Sequence, residues 1–157
     1  MNRSGFTLLE LMIVVAIMAF LAMIAMPNLM NFLAKAKRAE AYLNLHSIYA
    51  AEKAYFAENG IYSPVLSGQG GIGWKPEGYK GGGRQEKFHY TYGFPGAEGK
   101  NFFTGKLETP SSHLNNGKAD KISFVAVATG YINGQDKPDI ITIDQDNTIT
   151  IVQDALA

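Results

Sequence analysis

Residues Phe6–Met26 read FTLLELMIVVAIMAFLAMIAM, and this stretch decides the architecture of the chain. Eleven of its side chains are Phe, Leu, Ile or Val, and Glu10 is the only charged residue. As a helix, the stretch is long enough to cross the roughly 30 Å hydrocarbon core of a bilayer. The apolar residues together favour insertion by roughly 3 to 7 kcal/mol, which exceeds the about 2.5 to 3.5 kcal/mol cost of one central charge. We therefore predict a membrane-inserted helix.

A cleaved signal peptide and a simple membrane anchor are the ordinary alternatives for such a stretch. The apolar region of a signal peptide is only about 7–15 residues long, and no small-x-small cleavage site closes this one before Pro27. A plain anchor gives no role to Glu10, whereas ionisable groups within membrane spans usually serve a function. Basic residues flank the stretch on both sides, so the positive-inside rule leaves its orientation ambiguous.

Composition restricts what the rest of the chain can do. The 157 residues suffice for one domain with a core, and the 14 basic residues balance the 14 acidic ones. We expect no nucleic-acid partner, because no basic stripe is present. Without cysteine there is no disulfide, thiolate metal site or cysteine nucleophile. His46, His89 and His113 are scattered and accompany no catalytic motif, so we predict that the chain is not an enzyme.

The run Gly5–Ile17, GFTLLELMIVVAI, resembles the processing and assembly segment of type IV pilins and type II secretion pseudopilins. Pro27 matches a helix-weakening proline of that family, and Tyr55–Ser63 is similar to the family's helix exit. The resemblance implies that Gly5 ends a leader peptide, that a prepilin peptidase cuts between Gly5 and Phe6, and that Phe6 becomes N-methylated. It also implies retention of the apolar helix after cleavage.

Glu10 then acquires a role in assembly together with Phe6 and Pro27. Cleavage creates a positive amine at Phe6, and two unit charges about 4 Å apart attract by roughly 4 kcal/mol at an effective dielectric near 20. We expect Glu10 to pair with the Phe6 amine of a neighbouring subunit or of the same subunit. The alternative is that the Glu10 side chain only extends to the membrane interface. Pro27 predicts a kink or a locally melted turn at Met23–Asn28, or a plain boundary between the span and the exported helix.

Beyond Pro27 the pattern predicts that the helix resumes and ends at Asn59, before Gly60. One face carries apolar residues at helical spacing, namely Ala41, Leu45, Ile48, Ala51 and Tyr55. The opposite face carries polar residues, namely Lys37, Glu40, Asn44 and Ser47. The aromatic residues of the helix are expected to pack in the core, with charge transport as the alternative.

The period changes to two from Phe88, which indicates strands. The predicted strands are Phe88–Tyr92, Asn101–Thr104, Ile122–Ala128, Ile140–Ile143 and Thr148–Val152, with a hairpin turn at Asp144–Asn147. The fold class is therefore α+β, with one long N-terminal helix packed on a small antiparallel sheet. We divide the chain into a leader (1–5), a transmembrane and filament-core helix (6–27), an amphipathic half of the same helix (28–60) and a β-rich head (61–157).

Two motifs raise the question of a ligand. Gly68–Gly73 formally fits the dinucleotide fingerprint, but no strand precedes it and no helix follows, so nucleotide binding is not expected. Carboxylate and amide oxygens suit calcium, and candidates are Asn133, Asp136, Asp139, Asp144 and Asp146. Because Asp and Asn are also ordinary turn residues, we predict no cofactor and keep calcium as the alternative.

The resemblance implies a structural subunit of a type IV pilus, a homo-oligomer built as a helical filament. Its partners would be the prepilin peptidase and the pilus assembly machinery. The precursor would lie in the bacterial inner membrane with its head outside the cytoplasm, and the assembled form would be an extracellular pilus. The alternatives are a type II secretion pseudopilin in a periplasmic pseudopilus, and a membrane-anchored periplasmic binding module. Since many relatives close a C-terminal loop with a disulfide, this cysteine-free chain must hold it differently.

Overall fold

The computed structural model describes residues 5–134 and 137–157. The chain forms two compact units, one ending at Leu33 and one comprising Ala34–Ala157, and each is described by itself. Helix α1, Leu8–Asn59, contributes its first part to the first unit and its second part to the second unit.

In the first unit, the apolar side chains of α1 are exposed, as the hydropathy of the sequence predicts. The most apolar window of α1 has a mean hydropathy of 2.7, and none of it is buried. Within the described residues, α1 is the one helix long and apolar enough to cross a membrane. An exposed apolar surface of this size requires lipid or protein to cover it.

The helical assignment continues without interruption through Pro27. The locally melted turn predicted at Met23–Asn28 is therefore wrong. Pro27 removes a single amide donor, while the flanking residues keep their own hydrogen bonds. Prolines are tolerated within membrane helices because neighbouring groups and local adjustments satisfy the backbone groups that the proline frees.

The helix ends where the sequence predicts. Gly60 has a φ of 72°, and its amide donates to the carbonyl of Phe56 at 2.8 Å. This left-handed residue after Asn59 is the usual glycine signal that closes an α-helix.

The second unit contains an antiparallel sheet. Its strands are β1 (Thr91–Gly93), β2 (Phe102–Phe103), β3 (Lys118–Ala119), β4 (Phe124–Gly130), β5 (Asp139–Asp144) and β6 (Ile149–Gln153). The order is β2-β1-β4-β5-β6, with β3 also paired to β4. The β5–β6 hairpin turns where predicted: the Asp144 carboxylate accepts from the amides of Asp146 and Thr148, both at 2.9 Å, and Asn147 has a φ of 62°. The α+β fold class is confirmed.

The first predicted strand is only partly correct. Phe88 and Tyr90 are buried, as the alternation requires, but the strand begins at Thr91. The carbonyls of Phe88 and His89 accept instead from the amides of Lys106 and Leu107 in a loop, which satisfies the backbone without a regular ladder. Two short elements escaped prediction, strand β3 and the 3₁₀ helix Ser111–Leu114.

The apolar face of α1 packs in the core of the second unit, as expected. Ala41, Leu45 and Ile48 are fully buried and belong to one cluster with the aromatic residues of the sheet. The polar face also contacts the head. Glu40 contacts residues of the β1 segment, because its carboxylate accepts from the His89 amide at 2.8 Å and from the Tyr92 hydroxyl at 3.1 Å.

An ionic network joins α1 to the C-terminal strands within the second unit. Arg38 Nε and Nη2 donate to the two carboxylate oxygens of Asp139 at 3.0 and 2.5 Å, and Nη2 also contacts Asp154. Asp139 is fully buried and accepts further bonds from the Tyr90 hydroxyl at 2.7 Å and the Ala155 amide at 3.1 Å. These contacts hold the C-terminal segment in a chain that has no cysteine.

The network also shifts the pKa values of Arg38, Asp154 and Tyr90. Burial lowers the pKa of Arg38, but the hydrogen bonds to Asp154 and Asp139 outweigh that effect and raise it overall. The hydrogen bond from Arg38 lowers the pKa of Asp154. Burial, followed by the bond to Asp139, raises the pKa of Tyr90. Arg38 is thus a permanent cation between two carboxylates.

Candidate assembly and processing site

Glu10 and Thr7 form a reciprocal cap at the start of α1. The Thr7 hydroxyl oxygen accepts from the Glu10 amide at 3.2 Å, and Glu10 Oε2 accepts from the Thr7 amide at 3.4 Å. The Thr7 hydroxyl also donates to Glu10 Oε2 at 3.3 Å. This is a capping box, which satisfies two amides that the first turn leaves free. Glu10 therefore has a local partner within one chain, and the spacing Thr-x-x-Glu was the signal that could have revealed it.

Gly5 and Phe6 precede the helix and are exposed. Phe6 is 77% exposed. A Cβ added at Gly5 would meet no atom within 4 Å, so nothing in the described fold requires glycine at this position. A requirement for glycine at position 5 would therefore come from another molecule that binds this segment, because glycine has no side chain to keep a second backbone at a distance.

The apolar surface of α1 has a groove near Glu10. It has a volume of about 350 Å³ and is lined by Leu11, Met12, Val15, Ala16 and Ala19. Small residues such as Ala16 and Ala19 allow close approach of a second helix in an apolar environment. The groove and the carboxylate thus lie on one short segment, which is what an assembly surface needs.

Two of the proposed calcium ligands, Asp139 and Asp144, lie apart in the structure. Asp139 is engaged with Arg38, and Asp144 lies at the other end of β5, so the two are about 17 Å apart and cannot share an ion. Asp146 and Asn133 are exposed, and Asp136 lies outside the described residues. Within residues 5–134 and 137–157, no group of three His, Cys, Asp or Glu side chains is placed to hold a metal.

One buried carboxyl of the second unit was missed by sequence reasoning. Glu52 is fully buried on the apolar face of α1, where its Oε2 accepts from the Ser63 amide at 3.2 Å. Its Oε1 is buried and has no hydrogen-bond partner in the described part of the chain. Burial raises the pKa of Glu52 to about 7, although the bond from Ser63 opposes that shift.

Glu52 makes stability depend on pH in a defined direction. The folded chain holds its proton to about pH 7, whereas an unfolded glutamate loses it near 4.5. The free energy of unfolding should therefore fall as the pH rises between these values, by up to about 3 kcal/mol. We expect Glu52→Gln to remove this slope and to be more stable than the wild type at pH 8. Denaturant titrations at pH 5 and 8 check this, with exposed Glu58→Gln as the control; an unchanged slope in Glu52→Gln would contradict the assignment.

The N-terminal segment matches a known motif. Residues 1–26 match the family model described as the prokaryotic N-terminal methylation motif. The motif covers the processing candidates, Glu10 and the whole apolar stretch Phe6–Met26. The class is thus a chain with an N-terminal methylation motif and a pilin-like α+β architecture.

Named relatives agree with that class, and they confirm the resemblance to pilins and pseudopilins. The chain is 49% identical over 76 residues to the type IV major pilin protein PilA of Myxococcus xanthus (strain DK1622), covering 48% of this chain and 33% of that protein. It is 38% identical over 75 residues to the type II secretion system core protein G of Pectobacterium carotovorum subsp. carotovorum, covering 48% of each. It is 36% identical over 70 residues to the fimbrial protein EcpC of Eikenella corrodens, covering 45% of each. The chain spans less than half of the length of each of these relatives.

Proposed function

We propose that this chain is a structural subunit of a type IV pilus, assembled through its N-terminal helix after cleavage between Gly5 and Phe6. The observation that carries the proposal is the exposed apolar part of α1, with one carboxylate at its start. The surface needs lipid before assembly and neighbouring helices afterwards. The named relatives are a type IV major pilin, a fimbrial protein and a secretion core protein, and this supports a structural role.

Glu10 supplies the electrostatic part of the proposal. Its cap from Thr7 is a neutral partner, and within residues 5–134 and 137–157 no ion pair balances its charge. A cleaved Phe6 amine, free or N-methylated, would balance that charge in the filament. Removing an unpaired charge from an apolar environment favours assembly.

Localisation and partners follow from the same role. The precursor would lie in the bacterial inner membrane with its head outside the cytoplasm, and a prepilin peptidase would cut at Gly5. The pilus assembly machinery would then extract the helix from lipid into the fibre. The open space around Gly5 supports access for the peptidase.

A type II secretion pseudopilin is the second candidate, and the similarity to core protein G favours it specifically. Such a subunit would use the same helix and cleavage but would form a short periplasmic fibre. Both candidates predict polymerisation, so fibre length and place distinguish them.

Immunoelectron microscopy of cells and of sheared surface material tests the proposal. Antibodies against the head should label long surface fibres along their length. Labelling confined to short periplasmic fibres would favour the type II secretion pseudopilin over the type IV pilus subunit. Recovery of the chain only as a membrane-bound monomer, in cells that express it together with the assembly machinery, would refute both.

A further inference from the structure

The second unit has a cavity that the proposed assembly role does not use. It has a volume of about 390 Å³, within the range of about 300–1,000 Å³ typical of ligand pockets. Its lining residues come from α1, from the glycine-rich loop and from the segment before β1: Glu40, Asn44, Pro76, Glu77, Gly78, Lys87 and Phe88. We propose that this cavity binds a neutral, hydroxyl-rich ligand, a saccharide residue.

The helix wall of the cavity is held rigidly. The Glu40 carboxylate contacts three donors: the amide and Nδ1 of His89, at 2.8 and 2.6 Å, and the Tyr92 hydroxyl at 3.1 Å. A polar group fixed in advance loses little conformational entropy when it binds a ligand.

The loop wall is equally fixed. The Tyr79 amide donates to the Pro76 carbonyl at 3.3 Å, and Gly78 has a φ of 68°, which together define a type II turn with Glu77 at its tip. Just before this turn, the Trp74 indole donates to Ser47 on α1 at 2.6 Å. The cavity is therefore preformed, because both of its walls are tied to the same helix.

The chemistry of the lining selects the ligand. Phe88 and Pro76 are buried and provide an apolar surface for the C–H face of a sugar ring. A carboxylate offers about four acceptor positions, and three of those on Glu40 are occupied, so about one remains for a hydroxyl donor. The opposite charges of exposed Glu77 and Lys87 offset each other, which disfavours a strongly charged ligand.

A saccharide satisfies all of these features together. Its hydroxyls both donate, to Glu40, and accept, from Lys87 or from the Asn44 amide. A zwitterionic amino acid would need two full counter-charges at a fixed separation, but Glu77 and Lys87 are both exposed long side chains. This site would add recognition to a subunit and does not depend on whether the chain forms a pilus.

Saturation-transfer NMR on the full chain tests the site. The chain is held in nanodiscs, so that sugar-based detergents are avoided. The probes are the methyl glycosides of glucose, galactose and N-acetylglucosamine, with glycine and lysine as zwitterionic comparisons. We expect at least one glycoside to receive saturation, and to lose about tenfold or more in affinity in Glu40→Gln and in Asn44→Leu. Glu58→Gln, an exposed change further along α1, should bind as the wild type does.

Near-ultraviolet circular dichroism confirms that each variant is folded. Because Glu40 also contacts His89 and Tyr92, Asn44→Leu serves as the second variant if Glu40→Gln unfolds. The proposal is overturned if no glycoside binds, if only the amino acids bind, or if a folded cavity variant binds as strongly as the wild type.

Discussion

Arg38→Ala should lower the free energy of unfolding of the second unit by about 3–5 kcal/mol, the range for breaking a buried ion pair by removing one partner. The substitution leaves the carboxylate of Asp139 fully buried, and the donors that remain to it among the described residues are the Tyr90 hydroxyl and the Ala155 amide. It also frees Asp154 and with it the C-terminal segment. Such a loss is a large fraction of the roughly 5–15 kcal/mol that stabilises an ordinary domain.

Trp74, the single tryptophan, is buried in this unit and reports its unfolding by fluorescence. Denaturant titrations of the full chain should show the lower midpoint for Arg38→Ala and an intermediate one for Arg38→Lys, which keeps charge but loses the two-pronged contact. Arg84→Ala is the matched control, because its ion pair with Glu108 is exposed, and it should leave the midpoint nearly unchanged. If Arg38→Ala unfolded at the same denaturant concentration as Arg84→Ala, the network would have no structural role.

Glu10→Gln is expected to abolish fibres while the chain stays in the membrane. Glutamine can keep the capping box with Thr7, so the variant removes the charge and leaves the cap. Losing an attraction of roughly 4 kcal/mol corresponds to about a thousandfold weaker addition of each subunit. The measurement is the number of fibres seen by electron microscopy, divided by the amount of chain in the membrane fraction.

Thr7→Ala is the partner experiment, because it removes the hydroxyl of the cap and keeps the charge of Glu10. If the charge drives assembly, Thr7→Ala should retain fibres and Glu10→Gln should not. The reverse result would assign Glu10 a purely helix-capping role. Normal fibres in Glu10→Gln would by themselves contradict the electrostatic account.

The long helix and the hairpin could be predicted because their signals are local. Hydropathy fixed the apolar part of α1, Gly60 marked its end, and Asp144–Asn147 marked the turn between β5 and β6. The Thr7 cap was equally local and could have been found from its spacing to Glu10.

The polar contacts of the second unit could not be predicted in this way. Arg38 and Asp139 are 101 residues apart, and no pattern in the sequence pairs them. Glu52 lies among apolar residues of α1, where a periodicity argument expects no carboxyl. The contact between Glu40 and the His89 segment could not be predicted either, because the helical pattern does not show that this segment folds back onto the helix.

Intact-mass spectrometry of the subunit from sheared surface fibres tests the central claim most directly. The account predicts a chain that begins at Phe6, carries one added methyl group at its amino terminus and lacks residues 1–5. Fibres built from chains that still carry Met1–Gly5 would contradict it, because no Phe6 amine would then exist to balance Glu10.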